Sequence, residues 1–276
     1  MGKKEMENVD EQQLVQNTTL PITRSTLGKD LRDLGLRAGN CVMVHTSLSS
    51  LGWVCGGAVA VIQALMDVIT PMGTIVMPTQ SPTLSDPVHW EAPPVPKEWH
   101  PIIRSEMPPY DPRTTPTQGM GQVAEIFRTW PGAIRSAHPK VSFTAWGSDA
   151  DRIVAHHSID YSMGEASPLA SLYQNDAQVL FLGTGYDTNT SFHLAEYRVG
   201  CAVQMEEGAP VLENEQRVWK TYTDLDHQTD LFVELGRDFE RDCTVHKGSV
   251  GSGKARLFSQ RKAVDYAEGW LRDHHK

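Results

Sequence analysis

The chain has 276 residues, 39% of them hydrophobic and 21% charged, and a formal net charge of −9. That balance describes a globular chain long enough to bury a real core, and it argues against nucleic acid or an acidic membrane surface as partner. No apolar run approaches the roughly 18 residues that a membrane-spanning helix needs.

The first stretch, residues 1–20, is polar and reads as a flexible tail; the start Met1-Gly2 lacks the Ser or Thr at position 6 of a myristoylation signal, which is Met6 here. With no apolar leader, the scattered cysteines Cys41, Cys55, Cys201 and Cys243 read as reduced thiols of a cytoplasmic protein. "STLGKDLRDLGLRAGN" places Leu27, Leu31 and Leu34 at helical spacing, with Ser25 as N-cap and an end near Gly35. "CVMVHTS" and "TIVMPT" read as buried strands separated by a small-residue loop and the helix "AVAVIQALMDVIT". This strand–helix–strand order predicts a parallel pair with a right-handed crossover.

Composition changes at Pro78: 11 of the 17 prolines fall between Pro78 and Pro116. Such a segment suits neither regular helix nor central strand. Its Trp90, Trp99, Ile102, Ile103 and Tyr110 give it something to bury, so residues 79–118 read as an ordered insertion beside a substrate cleft. Helix "MGQVAEIFRTW", a segment "RSAHPKVSFTAWG" ending in a strand, helical "SDADRIVAHH" and a short helix capped by Ser167 with Pro168 at N1 follow. "AQVLFLGTG" is the clearest buried strand, and the helical "TSFHLAEYR" comes directly after it. Beyond it lie strand-like "CAVQM" and "RVWKTYT" and helices near 230–242 and 258–273. The fold class is α/β, a central mixed, largely parallel sheet flanked by helices, with residues 21–276 forming one domain.

Four motifs invite chemistry. "GSVGSGKA", residues 248–255, nearly matches a P-loop, but Ala255 replaces the hydroxyl that would hold magnesium; a tight basic turn with Lys247, Lys254 and Arg256 is the plainer reading. "VHTSLSSLGWVCGG" is a small-residue loop at the C-terminal end of a parallel strand, where open α/β sheets bind ligands and backbone N–H groups can approach an anion. His138 precedes Pro139 and is therefore extended, as a loop residue that is either structural or functional. Finally, His193 and Glu196 stand three apart on one helical face. They could be a surface pair, two metal ligands, or a base with its orienting carboxylate. The adjacent pairs His156–His157 and His274–His275 do not share a helical face and lend a metal little support.

The segments "VHTSLSSLG", "GTIVMPT", "DPRTTPTQGMGQVAEIFR", "RSAHPKVSFTAWG", "GEASPLASLY" and "LGTGYDTNTSFHLAEYR", with Gly56-Gly57, together resemble the aminoglycoside 3-N-acetyltransferases that are unrelated to the GNAT enzymes. They stand in the family's order over roughly residues 22–200, with a weaker match at "VGSGKARLF"; Ala166 replaces the second glycine of "GEGSP". The resemblance implies acetyl transfer from acetyl-CoA to the 3-amino group of a 2-deoxystreptamine aminoglycoside, without a metal, and hence antibiotic resistance. It implies that His193 is the base and that Glu196 orients it or meets substrate. It further implies that His45, Ser47, Leu48, Leu51, Gly52, Gly56 and Gly57 hold CoA, as do Ser136, His138, Ser142, Phe143 and Gly147 of the region 136–147. Asp86, Trp90, Asp187 and Glu196 are the expected contacts to a cationic substrate. A homodimer stays open, as do two rivals: transfer to a different amine, and a catalytically silent CoA-binding protein.

Overall fold

The computed structural model describes residues 11–200, 202–227 and 229–274. The first ten residues of the expected tail, the Cys201 thiol and His275 lie outside the described residues. From residue 11 the tail reading fails, because Glu11–Asn17 is a helix (α1). It is fastened to the fold: the Trp53 N–H donates to Thr18 Oγ1 at 2.9 Å and the Trp53 indole N–H to Glu11 Oε1 at 3.2 Å.

Helix α2 (Arg24–Leu34) is capped by Thr23 rather than Ser25. The Thr23 hydroxyl accepts the Thr26 N–H while the Thr26 hydroxyl accepts the Thr23 N–H, so two otherwise orphaned donors are satisfied at once. Strand β1 (Cys41–Thr46), helix α3 (Gly57–Ile69) and strand β2 (Thr74–Pro78) form the expected unit, with β1 and β2 parallel. The Pro-rich segment does contain a regular helix, α4 (His100–Glu106). Pro101 sits in its first turn, where a missing N–H costs nothing, so proline density alone did not exclude it.

Helix α5 (Gly121–Phe127), strands β3 (Ile134–Arg135) and β4 (Phe143–Gly147), helices α6 (Ala150–Val154) and α7 (Pro168–Gln174), and strand β5 (Gln178–Leu182) follow. Helix α8 (Ser191–Val199) carries the His–Glu pair. Strands β6 (Gln204–Glu213) and β7 (Gln216–Leu225) form a separate two-stranded hairpin. Helix α9 (Phe232–Asp242), strands β8 (His246–Val250) and β9 (Gly253–Ser259), and helix α10 (Gln260–His274) complete the chain.

The main sheet has seven strands in the order β3-β4-β2-β1-β5-β9-β8. Its centre, β2-β1-β5, is parallel, and antiparallel strands extend it on both sides. Side chains alternate with the pleat. Val42 and Val44 pack with α2, α3 and α5 on one face; Met43 packs with α6, α7, α9 and α10 on the other. Both faces are thus dry, which is why β1 reads as a continuous apolar run. His45 follows Met43 on the face that carries α8.

The P-loop lookalike is a β-hairpin. Gly248 pairs with Ala255, Ser249 with Lys254 and Val250 with Gly253, so its backbone is spent on a ladder instead of cradling phosphate. Lys247 and Arg256 both reach Glu240, at 2.5 and 2.7 Å. Among the described residues, no helix is long and apolar enough to cross a membrane.

Candidate active site

Because β1, β2 and β5 are parallel, Thr46, Pro78 and Leu182 end on the same side of the sheet. The loops after β1 and β5 meet there, and the Ser47 N–H donates to the Leu182 carbonyl at 2.9 Å. Gly183 makes this approach feasible: its φ is +71°, and a Cβ there would stand 2.4 Å from the Ser50 Cβ. The chain then makes a tight turn through Tyr186–Thr188 and enters α8, with His193 in its first turn.

His193 Nδ1 lies 2.6 Å from Glu196 Oε2. Glu196 is 0% exposed and His193 8%, so this is no wet surface pair. A carboxylate only accepts, so the shared proton resides on Nδ1 and the lone pair of Nε2 is left for chemistry. The ring also packs on Phe232, with centroids 4.9 Å apart.

His193 lines a cavity of ≈ 280 Å³ together with His45, Gln80, Asp187, Asn189 and Thr190. A groove of ≈ 820 Å³ adjoins it, running past Ser47, Leu48, Gly52 and Gly57. The two spaces share Thr46, Gly119, Met120, Thr184, Asp187 and Thr188. Burial pushes the His45 imidazole down to about 3, so it is neutral near pH 7.

The structure therefore brings together His45, Ser47, Leu48, Gly52, Gly57, Asp187, His193 and Glu196. Other expected residues stand apart from this space. Leu51 is fully buried in the core, and Gly56 caps α3 in a left-handed conformation. Ser136, His138, Ser142 and Phe143 are all at most 1% exposed. Each of the first three is occupied internally. Ser136 Oγ accepts the Phe143 N–H, and Ser142 Oγ–H donates to the Thr79 carbonyl. His138 Nδ1 accepts the N–H groups of Lys140 and Val141, and burial holds its imidazole at about 3. In this arrangement these side chains brace the segment. Gly147 pairs with Thr74 at the opposite end of β2 from Pro78, against the Gly73 carbonyl, where a Cβ would come within 2.0 Å.

On the substrate side, Asp187 is exposed at the cavity. Asp86 is instead committed to Arg104, which donates to it at 2.7 and 3.0 Å. The Trp90 indole N–H donates to Ser85 Oγ at 2.9 Å. The metal reading weakens as well, since His157 meets Ser136 Oγ at 2.9 Å and the Ser162 carbonyl at 2.7 Å through its two nitrogens.

Sequence reasoning missed a second imidazole. The His227 ring lies 4.5 Å from that of His193, centroid to centroid. Its Nε2 is 2.9 Å from the Tyr197 hydroxyl, which donates to Asp224. Asp224 also accepts from Ser162 Oγ at 2.6 Å, so the tyrosine proton is committed to the carboxylate and His227 Nε2–H donates to the phenol oxygen. Burial, then the nearby His193, Lys140 and His138, hold His227 well below the usual histidine range. Nothing in "DLDHQTD" signals this, because the contact joins the loop after β7 to α8.

The sequence pattern of the family described as aminoglycoside 3-N-acetyltransferase matches residues 43–272. The SPbeta prophage-derived aminoglycoside N(3')-acetyltransferase-like protein YokD of Bacillus subtilis is 50% identical over 259 residues, spanning 94% of this chain and 95% of its own. The YokD crystal structure aligns with a TM-score of 0.94 at 49% identity, over 96% of this chain and 99% of that one. Aminoglycoside N(3)-acetyltransferase IX of Micromonospora chalcea is 34% identical over 283 residues, 95% of this chain and 98% of its own. AAC-IIIb, solved as a binary complex with CoASH, aligns with a TM-score of 0.83 at 29% identity, over 92% of this chain and 98% of that one.

Proposed function

The chain belongs to the aminoglycoside 3-N-acetyltransferase family, and from that premise we propose that it moves the acetyl group of acetyl-CoA to the 3-amino group of a 2-deoxystreptamine aminoglycoside in the cytoplasm, conferring resistance. The carrying observation is the buried His193–Glu196 pair at 2.6 Å, set where a small cavity joins a long groove. The CoASH complex of AAC-IIIb supports CoA as the co-substrate. In this reading the groove takes the pantetheine arm against the small residues of the β1 loop, with Ser47, Leu48, Gly52 and Gly57 as contacts. The aminoglycoside enters at the cavity, where the exposed Asp187 attracts its ammonium groups. Residues 21–276 work as one acetyltransferase domain, and the Pro-rich segment 79–118 forms a wall of the cleft, its neighbours Gly119 and Met120 and its own Gln80 facing the cavity.

The chemistry needs a neutral amine, because an ammonium has no lone pair to attack with. His193 Nε2 accepts the amine proton while the amine nitrogen bonds to the thioester carbon and the carbonyl π pair moves to oxygen. On collapse that pair re-forms C=O, the C–S bond breaks with its electrons on sulfur, and His193 returns the proton to the thiolate. Glu196 faces the imidazolium at its peak charge. A positioned base is worth roughly 10²–10⁴-fold.

The test is CoA thiol release over a panel of aminoglycosides and simple amines, with wild type and His193→Ala. Turnover with a 2-deoxystreptamine compound, lost about 10²–10⁴-fold in His193→Ala while CoA affinity is retained, is the expected result. Absence of turnover with every such compound sinks the reading. Transfer to a different amine is the second reading; the neutralisation of Asp86 by Arg104 favours it, since that removes one expected carboxylate from the substrate side.

A further inference from the structure

Asn189 is 0% exposed, and neither its Nδ2 nor its Oδ1 has a hydrogen-bond partner. Its backbone is fully engaged: the N–H donates to the Tyr186 carbonyl at 3.0 Å, and its carbonyl accepts the Phe192 N–H at 3.1 Å. The turn therefore fixes the residue while leaving its carboxamide idle. An unpaired buried amide weakens a fold, because its bonds to water are lost without replacement. Such a group calls for an explanation, and a catalytic role is one.

Its location supplies that explanation. Asn189 stands four residues before His193 and lines the same cavity. His45 Nε2, also buried and without a partner, lines it too. Two residues with unmet hydrogen-bonding capacity thus line the space that holds the base. An asparagine amide always presents donors, whereas an imidazole nitrogen donates in only one tautomer.

We propose that the Asn189 Nδ2–H group is the oxyanion donor, binding the acetyl carbonyl oxygen as the attacking amine drives its π electrons onto it. The assignment rests on the acetyl-transfer reading above and names the group that stabilises its tetrahedral intermediate. A donor fixed by a tight turn and shielded from water needs no reorganisation when the negative charge appears, and so acts at full strength there. The amide exchanges no proton and forms no covalent bond; its contribution grows with the charge on oxygen, which makes it specific to the transition state.

The experiment compares wild type, His193→Ala, Asn189→Leu and Asn189→Ala. It measures kcat and KM for acetyl-CoA and the aminoglycoside, Tm, and affinity for CoA thiol and for S-acetonyl-CoA, whose ketone places a carbonyl where the thioester has one. Removal of one oxyanion donor typically lowers kcat by about 10²–10³-fold, and that fall is expected in both Asn189 variants with KM near wild type. CoA thiol should bind as before, and S-acetonyl-CoA more weakly. Tm should hold or rise, since an idle buried amide has been removed; an asparagine with a structural role would lower it. Wild-type turnover with kcat within about threefold in both variants, or a Tm loss in both, overturns the assignment alone. A wild-type chain that acetylates no amine overturns it together with the acetyl-transfer reading.

Discussion

Glu196→Gln isolates what the buried carboxylate does for His193. Glutamine keeps the shape and a carbonyl oxygen, so it can still accept the Nδ1–H bond seen at 2.6 Å and preserve the tautomer. What disappears is the negative charge facing the imidazolium that forms as the amine loses its proton. With the carboxylate 0% exposed, solvent does little to screen that charge. Exchanging a hydrogen bond to a charged group, about 1.5–3 kcal/mol net, for a neutral one, about 0.5–1.5 kcal/mol, leaves a loss of about 1–1.5 kcal/mol, which at roughly 1.36 kcal/mol per decade predicts a fall in kcat of about 5- to 13-fold. KM for both substrates should stay within about twofold, because the charge matters only once His193 is protonated. The assay is steady-state thiol release from acetyl-CoA at saturating substrates, with Tm recorded alongside. A kcat within twofold of wild type, or a loss confined to KM, refutes the coupling between Glu196 and the base.

Two further outcomes test the scaffold. His45 and His138 are buried neutral, each held by burial at about 3 in the fold, against about 6.5 unfolded. Between these values the unfolded chain binds protons that the folded one does not, so their contribution is complete above pH 6.5 and is lost as the pH falls towards 3. Each should remove about 1.4 kcal/mol of stability per pH unit; urea unfolding at pH 7 and pH 5 checks it, and equal stability at both refutes it. In α9, a Cβ at Gly236 would lie 2.0 Å from Tyr186 Cγ. Gly236→Ala should therefore cost about 1–3 kcal/mol through overpacking, read by thermal unfolding, and should lower turnover as well, because Tyr186 anchors the turn that carries Asn189.

Local chemistry made part of this protein legible in the sequence. The β1–α3–β2 unit follows from a β-branched apolar run, a helical apolar stripe and a second such run. The α7 cap follows from Ser167 and Pro168, since a hydroxyl acceptor and a fixed φ act within one turn. The ordered motifs led to the family, and the family's pattern, with the position of "TSFHLAEYR" after the clearest buried strand, pointed to His193 and Glu196. Ala255 in place of a hydroxyl was enough to read the 248–255 motif as a tight basic turn instead of a phosphate loop, and strand pairing makes it a hairpin. Short-range rules fell short where the answer depended on distant chain. Ser136, His138, Ser142 and Phe143, which the family resemblance assigns to CoA, have their side chains packed inward here. Asp86 looks available until Arg104, eighteen residues on, closes over it. Tertiary structure alone decided that His227 would stand beside His193 and that Asn189 would be buried without a partner. Burial and partner choice are set by contacts between remote segments, and no spacing along the chain encodes them.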